Sequence, residues 1–173
     1  CNFNPKVDVP ACAQGSDGND CLTPAQAEAI LKIYQGPTSN GQQIFPGYMP
    51  GSEMVVTGTN SNWINMMVPA SADAKPADFN LAEGTMRYLV FSPPQPNWDY
   101  KTFDFDKDIH LLDAWGAKAN AKQTDLSKFR KKGGKVLMTY GWADQILQPL
   151  MGVKYYEDAV AKNGPQTTDF LRL

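Results

Sequence analysis

The strongest constraint on the fold lies in residues 125–173, where helix, strand, helix and strand follow one another in a short span. Leu126 and Phe129 mark a short helix that Gly133 and Gly134 break. Lys135–Tyr140 is an apolar run that reads as a buried strand. Pro149 then fits the first position of a helix over 149–162, which Gly164 caps, and Thr168–Leu173 reads as a second strand. This order is one turn of a parallel α/β sheet. Two strands do not make a complete sheet, and the last one has no helix to cover it. Residues 125–173 are therefore expected to be part of a larger α/β domain.

Residues 1–124 have a different texture and are expected to form an irregular, aromatic-rich insertion or lid. Residues 1–22 read as loop. Thr23, Pro24 and Gln26 spell a capping box with proline at the first helical position, and Ala27, Ile30, Leu31 and Tyr34 give that helix an apolar face. Gly36-Pro37 ends it. Residues 36–62 are rich in Gly, Pro and Asn and predict irregular structure around a hairpin, with short apolar pieces at Gln43–Phe45 and Met54–Thr57. Trp63–Val68 fits either type of element. Leu81–Phe91 predicts a helix, Ser92–Pro96 an extended segment, and Phe103–Asp108 a lead into a helix bearing Ile109, Leu111, Leu112 and Trp115.

Charge and composition narrow the function classes. The 173 residues are 42% apolar and 20% charged, enough to bury a sizeable core. A net charge of −2 leaves no nucleic-acid footprint, and the basic cluster Lys128–Lys135 is read as a helix C-terminus. No apolar run reaches the ~20 residues of a membrane span. The chain opens at Cys1 without a signal-peptide pattern, which suggests a processed or partial chain. Its three cysteines, Cys1, Cys12 and Cys21, form no CxxC pair and have no histidine nearby, so zinc is not expected. A loop stapled by Cys12–Cys21 in an oxidising compartment fits better, and the odd Cys1 points to a partner outside the chain.

Asp144 is the residue that asks for a chemical explanation. It stands in Gly141-Trp-Ala-Asp at the carboxyl end of the first predicted strand, after a glycine suited to a sharp turn. Functional side chains collect at that end of strands in open α/β sheets. A turn or capping aspartate is one reading; an acid that orients a catalytic histidine is the other. The chain cannot complete such a site by itself. None of its serines stands in a G-x-S-x-G elbow, and its one histidine, His110, reads as a helix residue. The alternating Asp104, Asp106 and Asp108 lack the glycine and the closing glutamate of a calcium loop; they read as polar positions and a helix N-cap. Trp63, Tyr88, Phe91, Trp98, Tyr100 and Trp115 exceed what one small core needs, and one or two could face a flat aromatic ligand.

A series of short motifs carries a family resemblance. Asp20-Cys-Leu-Thr-Pro-Ala-Gln, Lys32-Ile-Tyr-Gln-Gly-Pro, Ile44-Phe-Pro-Gly, Gly51-Ser-Glu, Trp98-Asp-Tyr and Thr102-Phe-Asp-Phe-Asp-Lys-Asp occur in order. Asp125-Leu-Ser-Lys-Phe, Gly133-Gly-Lys-Val-Leu, Gly141-Trp-Ala-Asp and Tyr155-Tyr-Glu follow. The series spans nearly the whole chain and resembles the tannase and feruloyl esterase family, to which MHET hydrolase-like enzymes belong. The resemblance implies a secreted or periplasmic α/β-hydrolase with a large lid inserted in its core. Residues 1–124 would be the lid domain, mixed α+β and loop-rich. Residues 125–173 would be the C-terminal part of the core sheet and carry the triad acid, Asp144.

By the same resemblance, the nucleophilic serine precedes Cys1 and the histidine follows Leu173, or a second chain carries the rest of the core. Cys12–Cys21 matches a lid disulfide. Cys1 matches the cysteine that closes a structural calcium loop, whose ligands would lie upstream of it. The metal is not a catalytic cofactor, and no residue of this chain is assigned to it. Tyr140 departs from the family pattern, which usually has histidine there. The implied reaction is serine-type hydrolysis of galloyl, feruloyl or terephthaloyl esters, with Trp63 and Phe91 as candidate contacts to the substrate ring. The alternative is a non-catalytic lid module that binds an aromatic ligand or a partner chain.

Overall fold

In the computed structural model, residues 3–53, 63–69, 71 and 73–173 are described. Cys1 and the apolar piece Met54–Thr57 lie outside the described residues. The chain opens with a single turn, α1 (Pro5–Asp8), capped by the Asn4 side chain, which accepts from the Lys6 amide at 3.0 Å. The cysteine loop follows. Cys12 and Cys21 form a disulfide with their Cα atoms 4.9 Å apart, and Ala11 pairs with Leu22 at the loop's neck. Helix α2 (Pro24–Gln35) starts as the motif predicts: Gln26 and Thr23 cap one another reciprocally. It ends at Gly36, whose φ of +72° is the left-handed region that glycine enters freely. Lys6 pairs with Glu28, tying α1 to α2.

The expected hairpin is short. Strands β1 (Thr38–Ser39) and β2 (Gln42–Gln43) run antiparallel around Asn40 and Gly41, both at positive φ, as a tight Asn-Gly turn requires. Residues 63–68 form neither helix nor strand but a tight turn closed by a bridge between Ile64 and Val68. The predicted 81–91 helix begins earlier, as α3 (Ala77–Thr85), and finishes in a π turn over Met86–Val90. Ser92–Pro96 bends back instead of running extended, because the Gln95 amide donates to the Arg87 carbonyl at 2.8 Å. The next helix is broken into α4 (Phe105–Asp108), a 3-10 turn over Ile109–Leu112, and α5 (Asp113–Ala119). Asp104 caps α4 by accepting from the Asp106 amide, so the N-cap falls one element earlier than expected.

In the last third, α6 (Ser127–Lys131), β3 (Val136–Leu137), α7 (Pro149–Asn163) and β4 (Leu171–Arg172) appear in the predicted order. β3 and β4 pair in parallel, with Val136 opposite Leu171 and α7 as the crossover. Ala159, Phe170 and Leu171 form the buried centre, with Leu126, Val136, Met138 and Tyr156 packed around them. Both strands are shorter than the apolar runs suggest. Pro165–Asp169 coils into a 3-10 turn held by Thr167, whose hydroxyl donates to the Gly164 carbonyl at 2.6 Å, so little of Thr168–Leu173 remains to pair. Nor is β3 a buried strand: alternation turns Val136 inward and leaves Leu137 76% exposed. At the junction with the first 124 residues, Asn163 donates to the Thr124 carbonyl and accepts from the Leu126 amide, while Tyr155 donates to the Gln123 carbonyl.

Candidate functional site

The loop between β3 and α7 presents Asp144 half-buried among exposed apolar neighbours, Trp142, Ile146 and Leu147. Its Oδ1 accepts from the backbone N–H groups of Ile146 at 2.7 Å and Leu147 at 2.9 Å. Its own amide donates to the Gly141 carbonyl at 3.2 Å. The loop thus closes on the carboxylate as an aspartate turn. Oδ2 takes no hydrogen bond among the described residues. Gly141 is not needed for the turn: it lies outside the left-handed region, and a Cβ there would meet Asp144 Cβ at an ordinary 3.8 Å. The glycine that matters is Gly152 on α7. Any Cβ there would overlap the ring of Tyr140, which therefore packs closely against α7 beside the loop.

Two residues that the sequence did not single out stand beside this loop from the first 124 residues: Tyr48 reaches it, and Asp78 meets Tyr48. The Tyr48 hydroxyl lies 3.2 Å from the Ile146 carbonyl and 3.3 Å from Asp78 Oδ2. Tyr48 is delivered by a close crossing of two chain segments. Its amide donates to the Ile33 carbonyl at 3.1 Å, and a Cβ on Gly47 would overlap the Tyr34 carbonyl. The motif glycines of Gln35-Gly-Pro and Phe45-Pro-Gly are what allow that crossing. Burial pushes the Tyr48 phenol up to about 12, helped by the charge of and hydrogen bond to Asp78 and by the charge of Asp144. The phenol is therefore a neutral donor across ordinary pH. Burial also raises the Asp78 carboxyl, with the Tyr48 hydrogen bond opposing it. The only signal for these residues was position: Tyr48 follows the Ile44-Phe-Pro-Gly motif directly, and Asp78 is the acid in the first turn of α3.

The two aromatics expected at a ligand lie in separate clusters. Trp63 is 6% exposed, packs against Tyr34 and Tyr48, and donates its indole N–H to Ser52 Oγ at 3.1 Å. The Gly51-Ser-Glu motif serves this cluster: Ser52 accepts from Trp63, Glu53 accepts from the Gly51 amide, and the Glu53 charge adds to burial in raising the Tyr34 phenol. Phe91 packs on Trp98, which continues through Phe103 to Phe105. Beside that chain lies a cavity of about 470 Å³ walled by Phe79, Met86, Trp98, Tyr100, Phe103 and Phe105.

His110 is exposed, with Nδ1 2.7 Å from the Lys107 carbonyl. Asp104 and Asp106 are engaged as a cap and as an acceptor for the Asn40 amide, and Lys107 pairs with Asp104. Among the described residues no three His, Cys, Asp or Glu side chains are grouped to hold a metal ion. No described helix is long and apolar enough to cross a membrane.

Comparison with known proteins gives a consistent result. The family model described as "Tannase and feruloyl esterase" matches residues 1–173. An uncharacterized esterase of Xanthomonas campestris pv. campestris is 28% identical over 173 residues, covering 94% of this chain and 28% of that protein. "Probable feruloyl esterase B-2" of Aspergillus terreus is 29% identical over 154 residues, covering 88% of this chain and 26% of that protein. The crystal structure of feruloyl esterase B from Aspergillus oryzae superposes with a TM-score of 0.72 at 26% identity, over 96% of this chain and 32% of that one. An esterase from Aspergillus oryzae gives 0.68 at 25% identity, over 98% and 33%. The chain thus spans no more than about a third of the length of these relatives.

Proposed function

Because the chain belongs to the tannase and feruloyl esterase family, we propose that it is part of a secreted or periplasmic serine-type carboxylic ester hydrolase acting on aromatic esters. Residues 1–124 would serve as its lid and 125–173 as part of an α/β-hydrolase core. Relatives named as feruloyl esterases support the ester substrate. The observation that carries the reading is the Asp144 carboxylate: it follows a parallel strand, and two backbone N–H groups fix Oδ1 while Oδ2 takes no hydrogen bond among the described residues. That arrangement suits an acid whose second oxygen receives an imidazole N–H.

In the complete site a serine hydroxyl attacks the ester carbonyl, and a histidine takes its proton and returns it to the leaving alcohol. Water then hydrolyses the seryl ester with the same histidine as base. Asp144 holds the histidine in the productive tautomer and stabilises its cation. The serine and histidine belong to sequence outside these residues. A calcium ion, where present, would be structural and held by residues preceding Cys1.

The apolar, ring-walled cavity near Trp98 favours a second reading, a module that holds an aromatic ligand without chemistry. One assay separates the two: the full-length protein against methyl ferulate, methyl gallate and a terephthalate monoester. Release of acid from at least one of them is expected. Binding of the free aromatic acid with no hydrolysis of any ester would favour the module.

A further inference from the structure

One phenol joins the loop that holds Asp144 to the first 124 residues. The Ile146–Leu147 peptide is gripped from both sides: the Leu147 N–H donates to Asp144 Oδ1 at 2.9 Å, and the Ile146 carbonyl lies 3.2 Å from the Tyr48 hydroxyl. Resting on the reading of Asp144 given above, we propose that Tyr48 is a positioning residue for Asp144, clamping the Ile146–Leu147 peptide whose N–H holds the carboxylate.

Three features make the clamp effective. The Tyr48 ring is fixed against the buried Trp63, with centroids 6.4 Å apart, so its hydroxyl has little freedom. Its backbone is pinned to α2 through the Ile33 carbonyl. The phenol stays protonated, and hence a donor, well above neutral pH. Asp78 and Asp144 are the two carboxylates whose charges act on it.

The hydroxyl has one proton and two acceptors within reach, Ile146 O and Asp78 Oδ2. An ionised Asp78 competes for that proton, and charge-assisted bonds are the stronger kind. Replacing Asp78 by asparagine weakens the competitor and lets the side-chain amide donate to the phenol oxygen. The clamp on Ile146 should then persist or tighten. Asp78 thus competes with the clamp from α3, and Tyr48 gives the first 124 residues a direct hold on the loop of the acid.

Tyr48→Phe removes the hydroxyl and keeps the ring. In the full-length protein it should speed amide hydrogen exchange at Ile146 and Leu147 by roughly 3–10-fold, the worth of one hydrogen bond. The same variant should lower kcat by a similar factor at unchanged KM. It should also move the acid limb of the kcat/KM profile to lower pH, since a displaced carboxylate supports the imidazolium less well. Asp78→Asn should keep or increase the wild-type exchange protection. Unchanged exchange and unchanged kcat in Tyr48→Phe would overturn the proposal, as would equal loss of protection in Asp78→Asn. Full turnover in a parallel Asp144→Asn variant would remove Asp144 from catalysis and with it the catalytic half of the proposal, while exchange at Ile146 and Leu147 still decides the clamp.

Discussion

Residues 125–173 and residues 1–124 are built on different principles. The first group is organised by aliphatic burial and parallel pairing: Leu171 and Ala159 are fully buried, and β3 meets β4 across α7. The second group is organised by rings, caps and close backbone crossings. Every ring–ring contact among the described residues lies before residue 106, from Phe3–Tyr34 to Phe103–Phe105. Three of its helices, α1, α2 and α4, start at side-chain caps on Asn4, Thr23 and Asp104, and its cysteine loop is closed covalently. A periodic core specifies a simple supersecondary unit, whereas point-by-point fastening allows irregular chain paths such as the one that carries Tyr48 to the Asp144 loop.

The contrast can be broken most severely at Leu171. Leu171→Ala should cost about 2–5 kcal/mol, because the site is sealed on every side and cannot collapse cheaply. Urea denaturation of the full-length protein should show the loss; a change below about 1 kcal/mol would mean that the aliphatic centre does not organise residues 125–173.

In the fastened region the covalent tie is expected to matter most. Cys12→Ser/Cys21→Ser opens a loop of sequence separation 9 and should cost about 2–3 kcal/mol on chain-entropy grounds. Thermal melts with and without reductant check it: reductant should lower the melting temperature of the wild type and leave the double variant unaffected by loss of this bond.

A smaller effect sharpens the junction itself. Burial raises the Asp78 carboxyl above its ordinary range, so this group's contribution to stability is fullest below that range. It is lost as pH rises through the elevated folded-state value. Asp78→Asn should flatten that part of the stability–pH curve. A slope that persists unchanged would assign it to other carboxylates.

How much was legible in the sequence follows the same division. The order α6–β3–α7–β4 was readable because glycine breaks and proline starts bracket apolar runs at Leu126–Phe129, Lys135–Tyr140 and Pro149. The strand lengths were not, since pairing extends only where a partner lies alongside, and the 3-10 turn at Pro165–Asp169 removes that partner. In the fastened region the capping box at Thr23 was readable, as was the Cys12–Cys21 pairing. The bend at Ser92–Pro96 depends on the Gln95–Arg87 backbone bond, which no local pattern announces. At the candidate site, Asp144 was marked by its place after a predicted strand. Tyr48 and Asp78 were not, because what distinguishes them is contact with residues 98 and 30 positions away in sequence. Trp63 illustrates the reverse: its size drew attention, yet its ring and its N–H are both satisfied within the chain.

The most direct test is turnover of the full-length protein with Asp144→Asn. Asparagine keeps the size of the side chain and an oxygen to accept from Ile146 and Leu147, but it cannot hold a histidine in the required tautomer or stabilise its cation. With Asp144 as the triad acid, kcat on the preferred aromatic ester should fall on the order of 10³–10⁴-fold with little change in substrate affinity. A variant that keeps most of its turnover would show that Asp144 only closes its loop.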